Sequence, residues 1–288
     1  MWPFRRPTVV PVLRLSGTIG VASPLRPGLS IAALAGPIER AFALSKAPSV
    51  AIAINSPGGS PAQSSLIFKR IRQLADEKKK RVYVFCEDVA ASGGYYLALA
   101  GDEIHADASS IIGSIGVISA GFGFEKAIEK LGIERRVYTA GESKGSLDPF
   151  RPENPDDIAR LKALQRDVHD TFIGVVKERR GERLRGPDGE LFSGAFWSAK
   201  AALDYGLIDG ISELRTRMRE VHGDKVRLKL VSLSPGGLLS RLTRGSGMAV
   251  PGLSTATFSS AATLPPLLAA DDILSALEAR ALWSRFGL

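Results

Sequence analysis

The chain has 288 residues, 44% hydrophobic and 24% charged, which is the composition of a folded globular protein and not of a disordered or fibrous one. A single cysteine, Cys86, excludes a disulfide within the chain and any metal site built on cysteines. The formal net charge is +8, but the basic residues are scattered, and no basic stripe interleaved with aromatics suggests a nucleic-acid groove.

The opening MWPFRRPTVVPVLRLSG holds no apolar run long enough for a signal peptide or a membrane span, and no other window reaches one. The chain is therefore expected to be soluble, cytoplasmic or peripherally membrane-associated. Trp2, Phe4, Arg5 and Arg6 are the residues that would touch a membrane surface.

Strand and helix patterns then alternate. Residues 9–15 read as a strand and 31–44 as a helix. Residues 50–54 (VAIAI) are a short apolar strand, followed by the turn cluster NSPGGS. Ser60 suits an N-cap and Pro61 a first helical position, for a helix to about residue 76. Residues 81–85 form the next strand, with Cys86 buried at its end, and the Ser92 segment the next helix. Strands are expected over 111–118 and 134–139. The longest helix starts at an Asn154 cap with Pro155 behind it and ends at Gly181. Ile158, Leu161, Leu164, Val168, Phe172 and Val175 form its apolar face. A shorter helix follows a Ser198 cap, and 207–208 read as a strand. This alternation predicts an α/β fold with much of its sheet buried.

The pattern changes after about Val221. Residues 1–221 read as the main domain, 222–267 as a flexible Gly/Pro/Ser-rich linker, and 268–288 as an amphipathic helix through Ile273, Leu274, Leu277, Ala281 and Leu282. That helix is free to dock on the core, a partner or a membrane surface.

The stretch DVAASGGYYLALAGD places Ser92 before two glycines, where a substrate backbone can approach closely. Serine needs a base to become a nucleophile. His105 sits in a strand-like stretch and reads as structural. His169 falls off the apolar face of the long helix and reads as exposed. His222 lies at the edge of the tail. The alternative base is lysine, and Lys144 sits in the small-residue loop TAGESKGSLDPFRP. A free lysine is only ~0.04% neutral at pH 7, and bringing it near neutrality costs roughly 3–5 kcal/mol of ammonium solvation. Burial or neighbouring cations such as Arg135, Arg136 and Arg151 would have to supply that. On sequence physics alone, an exposed loop lysine is the stronger reading. The Pro57-Gly58-Gly59 turn has backbone amides suited to an oxyanion, though such strand-to-helix turns are common.

The ordered set INSPGGS, VAASGGYYLALAGDEIHA, GSIGVI, GESKGSLDPFRP and WSAKAALDYGLID closely resembles the signal peptide peptidase A family of Ser-Lys serine peptidases, over roughly residues 8–220. The resemblance implies the Clp protease/crotonase superfamily fold, a spiral of β-β-α units, and a ring-like homo-oligomer; the C-terminal extension is read from the sequence itself. It implies Ser92 as nucleophile, Lys144 as general base and Ser114 as the hydroxyl that orients the lysine. The oxyanion amides fall on Gly59 and Gly93. Substrate-binding positions are Gly58, Gly113, Ile115, Gly116 and Val117, with pocket depth set by how 113–118, Tyr95 and Tyr96 pack. No metal or other cofactor is expected, and the partners are short, largely apolar peptides such as signal-peptide remnants. In that family Ser and Lys can come from neighbouring subunits. The membrane anchor usual in the family is not read here, and the tail after Val221 lies outside the resemblance.

Two other classes remain open at this level. A crotonase-like acyl-CoA hydratase or isomerase would share the SPGG turn and would use a carboxylate base. A non-enzymatic membrane-surface scaffold would use the basic charge, the N-terminal aromatics and the terminal helix.

Overall fold

The computed structural model describes residues 7–20, 28–233, 277 and 280–287. It opens with β1 (Val9–Ser16), α1 (Ile31–Ala43), β2 (Ser49–Ser56), α2 (Pro61–Lys78), β3 (Arg81–Ala91) and α3 (Gly93–Ala98). Two short strands, β4 (Glu103–Ala106) and β5 (Ile111–Gly113), lead to α4 (Glu125–Lys130), a 3-10 turn (Glu142–Gly145) and the long α5 (Pro155–Arg180). Then come α6 (Asp188–Leu191), β6 (Phe196–Ser198), α7 (Ala199–Asp204), β7 (Gly210–Ile211), α8 (Leu214–His222) and β8 (Arg227–Leu230).

The described strands make one eight-stranded sheet, with β6-β5-β3-β2-β1-β8 in line and β4 and β7 branching from β3. Every pairing among them is parallel except β5 with β6. The α/β class expected from the alternation is therefore present. Side-chain alternation explains the two faces. Leu13 and Leu15 of β1, Val50, Ile52 and Ile54 of β2, and Val82, Val84 and Cys86 of β3 enter the large core beneath α1, α2 and α3. Their neighbours Val10, Val12, Ala51, Tyr83 and Phe85 enter a smaller core with Met218 of α8. Burial pushes the Cys86 thiol up to about 12, so it stays protonated and inert.

The helix starts follow the capping residues. Ser60 accepts from the Gln63 amide, Asn154 from the Asp156 amide and Ser198 from the Ala201 amide, with Pro61 and Pro155 in the first turn of α2 and α5. The C-terminal end of α5 is fixed by Arg180, which is 2% exposed. Its guanidinium meets both Asp209 carboxylate oxygens at 2.9 and 3.0 Å and donates to the Gly206 carbonyl at 2.8 Å.

Several expectations need correction. The strand expected over 111–118 stops at Gly113, because Ser114 takes the left-handed conformation at φ 51, which extended pairing does not continue through. Residues 134–139 form no strand: they are mostly exposed, and no described strand pairs with them. Leu207 and Ile208 are buried, but the Leu207 amide goes to Ala202 at the end of α7, and pairing with β4 begins at Gly210. The N-terminal half of the α5 apolar face is only partly covered, and Leu164 is exposed. The sheet extends past Val221, because Val226 and Leu228 pack on the smaller core and β8 pairs with β1. Of the terminal stripe, Ile273 and Leu274 lie outside the described residues, as do Trp2, Phe4, Arg5 and Arg6. Leu277 is exposed, and the docked residues are Trp283 and Phe286, against Val89, Ala91 and Ile111. No described helix is long and apolar enough to cross a membrane.

His222 closes α8 with its Nε2 2.8 Å from the buried Ser49 hydroxyl. Burial holds its imidazole below the ordinary value of 6.5. The unfolded chain then takes up a proton that the folded chain resists, so stability from this site is full above about pH 6.5 and is lost as pH falls through the lower folded value. The urea midpoint is expected to drop across that window, and less steeply in His222→Gln. An identical pH slope in that variant would contradict the assignment.

Candidate active site

On the edge away from β2, β3 has two partners in succession. Its first half pairs with β4, and Val89–Ala91 pairs with β5. The next residue, Ser92, adopts φ 52 and ψ −122. A non-glycine residue held there costs of the order of 1–3 kcal/mol, and such strain persists only where the surroundings impose it. Here they do. The Ser92 amide donates to the Gly113 carbonyl at 2.8 Å, and the Ser92 carbonyl accepts from the Tyr96 amide at 3.0 Å. Tyr95, fully buried, donates its hydroxyl to the Leu207 carbonyl at 2.7 Å and anchors α3 from below.

The glycines around Ser92 are required by contact. Gly58 has φ 105, and a Cβ there would lie 2.8 Å from Ser92 Cβ and 2.9 Å from the Gly93 nitrogen. A Cβ on Gly94 would lie 2.3 Å from the Ser56 carbonyl oxygen. The turn after β2 and the turn after β3 are therefore pressed together. Gly93 is the first residue of α3, so its amide has no acceptor within the helix. No described residue accepts from the Gly59 amide.

A cavity of about 240 Å³ opens beside Ser92, lined also by Gly59, Gly93, Gly116 and Val117. Its walls are mainly apolar: Pro61 and Ala62 of α2, Tyr96 of α3, and Val168 and Phe172 of α5. Tyr96 packs between Phe68, which it meets edge-on, and the tilted ring of Phe172, with ring centroids 5.6 and 5.0 Å away. No described residue hydrogen-bonds the Ser92 hydroxyl.

Of the expected site residues, the structure gathers Ser92, Gly59, Gly93, Gly116 and Val117 at one cavity, with Gly58 behind them. Gly113 holds the Ser92 amide, and Ser114 follows it, 5% exposed. Ile115 is fully buried and faces the core. Lys144 is apart from this group. It lies exposed on the 3-10 turn and does not line the cavity. The arginines expected beside it are engaged by carboxylates: Arg135 and Arg151 with Asp148, and Arg136 with Glu134. Hydrogen bonding from Arg135 holds the Asp148 carboxyl below its ordinary value. No group of three or more His, Cys, Asp or Glu among the described residues is arranged to hold a metal ion.

Two contributions were not foreseen. Val168 and Phe172 read as core packing, yet they line the cavity. His169 was expected to be exposed; it is half-buried, with Nε2 3.0 Å from the Ile115 carbonyl oxygen. Helical spacing signals which residues share a face but not what that face meets.

The sequence profile of Peptidase family S49 matches residues 74–227, which include Ser92, Ser114 and Lys144. The chain belongs to Peptidase family S49. It is 31% identical over 255 residues to a Synechocystis sp. protein, covering 85% of this chain and 87% of that one. It is also 31% identical to the chloroplastic serine protease SPPA of Arabidopsis thaliana, over 85% of this chain and 37% of that one. Two Brucella proteins named Na(+)/H(+) antiporter NhaA, from Brucella abortus and Brucella melitensis, are 53% identical over 98% of this chain. This chain spans only 37% of their length, so the match concerns one part of a longer protein.

In this S49 chain, Gly58→Ala forces a side chain onto Ser92 and an L-residue into a glycine conformation. Ser92 capture by a fluorophosphonate is expected to slow on the order of a hundredfold, with unchanged far-UV circular dichroism. Capture at the wild-type rate would show that the turn contact does not set the serine.

Proposed function

We propose that the chain is a Ser-Lys serine endopeptidase that hydrolyses short, largely apolar peptides, with Ser92 as nucleophile and Lys144 as base. One observation carries the reading: Ser92 is held at a strained backbone angle, its side chain at an apolar cavity beside two glycine amides for which no described residue is an acceptor. A cavity of about 240 Å³ suits one apolar side chain, with the scissile carbonyl at Ser92.

In this reading Ser92 Oγ adds to the carbonyl carbon as its proton passes to the neutral amine of Lys144. The displaced π pair moves onto the carbonyl oxygen, which meets the amides of Gly59 and Gly93. Collapse of the intermediate expels the amine, which takes the proton from Lys144 and leaves an acyl ester on Ser92. Water then attacks the ester, Lys144 accepting its proton and returning it to Ser92.

The amine must be desolvated to be neutral near pH 7, whereas Lys144 of a single chain is exposed. We therefore assign the Lys144 that serves each Ser92 to a neighbouring copy in a homo-oligomeric ring, with Ser114 as the hydroxyl that orients it. The segment carrying Lys144 supports this. Phe122 is 80% exposed, Tyr138 90% and Leu131 73%, an apolar surface of the kind a second copy covers. The branched, mainly parallel sheet suits the spiral of β-β-α units implied by the family resemblance.

Mass spectrometry after incubation with a fluorophosphonate tests the assignment. Wild-type chain is expected to carry one adduct on Ser92, Ser92→Ala none, and Lys144→Ala an adduct formed at least about a hundredfold more slowly. Labelling elsewhere, or undiminished labelling of Lys144→Ala, would overturn the corresponding role.

A further inference from the structure

The segment after β5 leaves the sheet. Gly113 ends the pairing with Ala91 and Phe196, and Ser114 turns the chain while its amide meets the Ala195 carbonyl at 2.6 Å. Beyond that turn, Gly116 and Val117 line the cavity, and no described residue hydrogen-bonds their backbone. An extended peptide adds to free backbone of this kind as an extra strand, provided the backbone is held still.

The hold comes from α5. His169 Nε2 is 3.0 Å from the Ile115 carbonyl oxygen, while the Ile115 side chain is fully buried in the core. A carbonyl oxygen only accepts, so Nε2 carries the hydrogen, and both the neutral ring in that tautomer and the imidazolium can donate it. On the same helix, Val168 and Phe172 wall the cavity beside Gly116 and Val117. One helix therefore supplies the apolar wall and the hydrogen bond that fixes the adjoining backbone.

We propose that His169 is a positioning residue: through Ile115 it holds residues 115–117 as a rigid backbone template for an extended peptide substrate. This rests on reading the Ser92 cavity as a peptide site. His169 acts on peptide binding and leaves the intrinsic reactivity of Ser92 unchanged.

The test separates binding from chemistry. Binding of a fluorescein-labelled apolar octapeptide is measured by anisotropy in the Ser92→Ala chain, which cannot turn it over. Adding His169→Leu is expected to weaken binding about 5- to 10-fold, the scale of one lost hydrogen bond. Adding His169→Gln, which still offers an N–H, is expected to restore binding toward that of the parent. If the leucine variant does not fold, His169→Asn, too short to reach Ile115, takes its place with the same expected weakening. With Ser92 intact, capture of diisopropyl fluorophosphate, which has no peptide arm, is expected to proceed equally with His169 or leucine present. Unchanged peptide binding in the leucine or asparagine variant, absence of rescue by glutamine, or equal slowing of the small probe would overturn the proposal. Peptide binding to Ser92→Ala without fluorophosphonate labelling of wild type would reject the peptidase reading and leave the template standing. No peptide binding at all would reject the template whatever the labelling shows.

Discussion

The site depends on how closely two neighbouring turns approach. β2 and β3 are parallel, so their C-terminal ends lie side by side and their outgoing turns share one crevice. Gly58 on one turn leaves room for no atom between itself and Ser92 on the other. Strand pairing sets the distance, the absent side chain permits it, and the Gly113 carbonyl holds the Ser92 amide from the third strand, β5. The serine is thus positioned by three strands of a buried sheet, and its conformational strain is met by the packing of the whole core.

The proposed base has no comparable support within the chain. Lys144 stands on a short turn in a segment that contributes little to the core, and the cations near it in sequence are occupied by Asp148 and Glu134. α5 divides along the same line. Its C-terminal half is locked by Phe172, Val176 and the Arg180–Asp209 pair, while Leu164 in its N-terminal half remains exposed. One end of the helix builds the cavity wall, and the other runs into the segment that would meet a neighbouring copy. A nucleophile preset by the fold and a base exposed until assembly would tie activity to oligomerisation, keeping the isolated chain silent.

Much of this was legible in the sequence because local chemistry decides it. Ser60, Asn154 and Ser198 mark helix starts through hydrogen bonds they make to residues two or three positions away. VAIAI and VYVFC read as buried strands because no polar side chain interrupts them. The glycines of SPGGS and ASGG announced close approach. What stayed hidden depends on partners distant in sequence. Residues 134–139 look like a strand but find no described neighbour to pair with. β5 ends at Gly113 because Ser114 turns into the left-handed region, at φ 51. His169 looked exposed on helical spacing, since nothing local reveals that the Ile115 carbonyl lies opposite. Phe172 shows the same limit: its stripe identified a packed face, but not that the face also walls a cavity.

The most direct measurement of the account mixes two silent proteins. Ser92→Ala and Lys144→Ala chains are purified separately, dissociated, combined and reassembled, and peptide turnover is followed. If each serine is served by an adjoining copy, mixed rings contain some complete pairs, and turnover appears that neither parent possesses. If the mixture co-assembles yet stays as inactive as its parents, the pairing across copies is wrong.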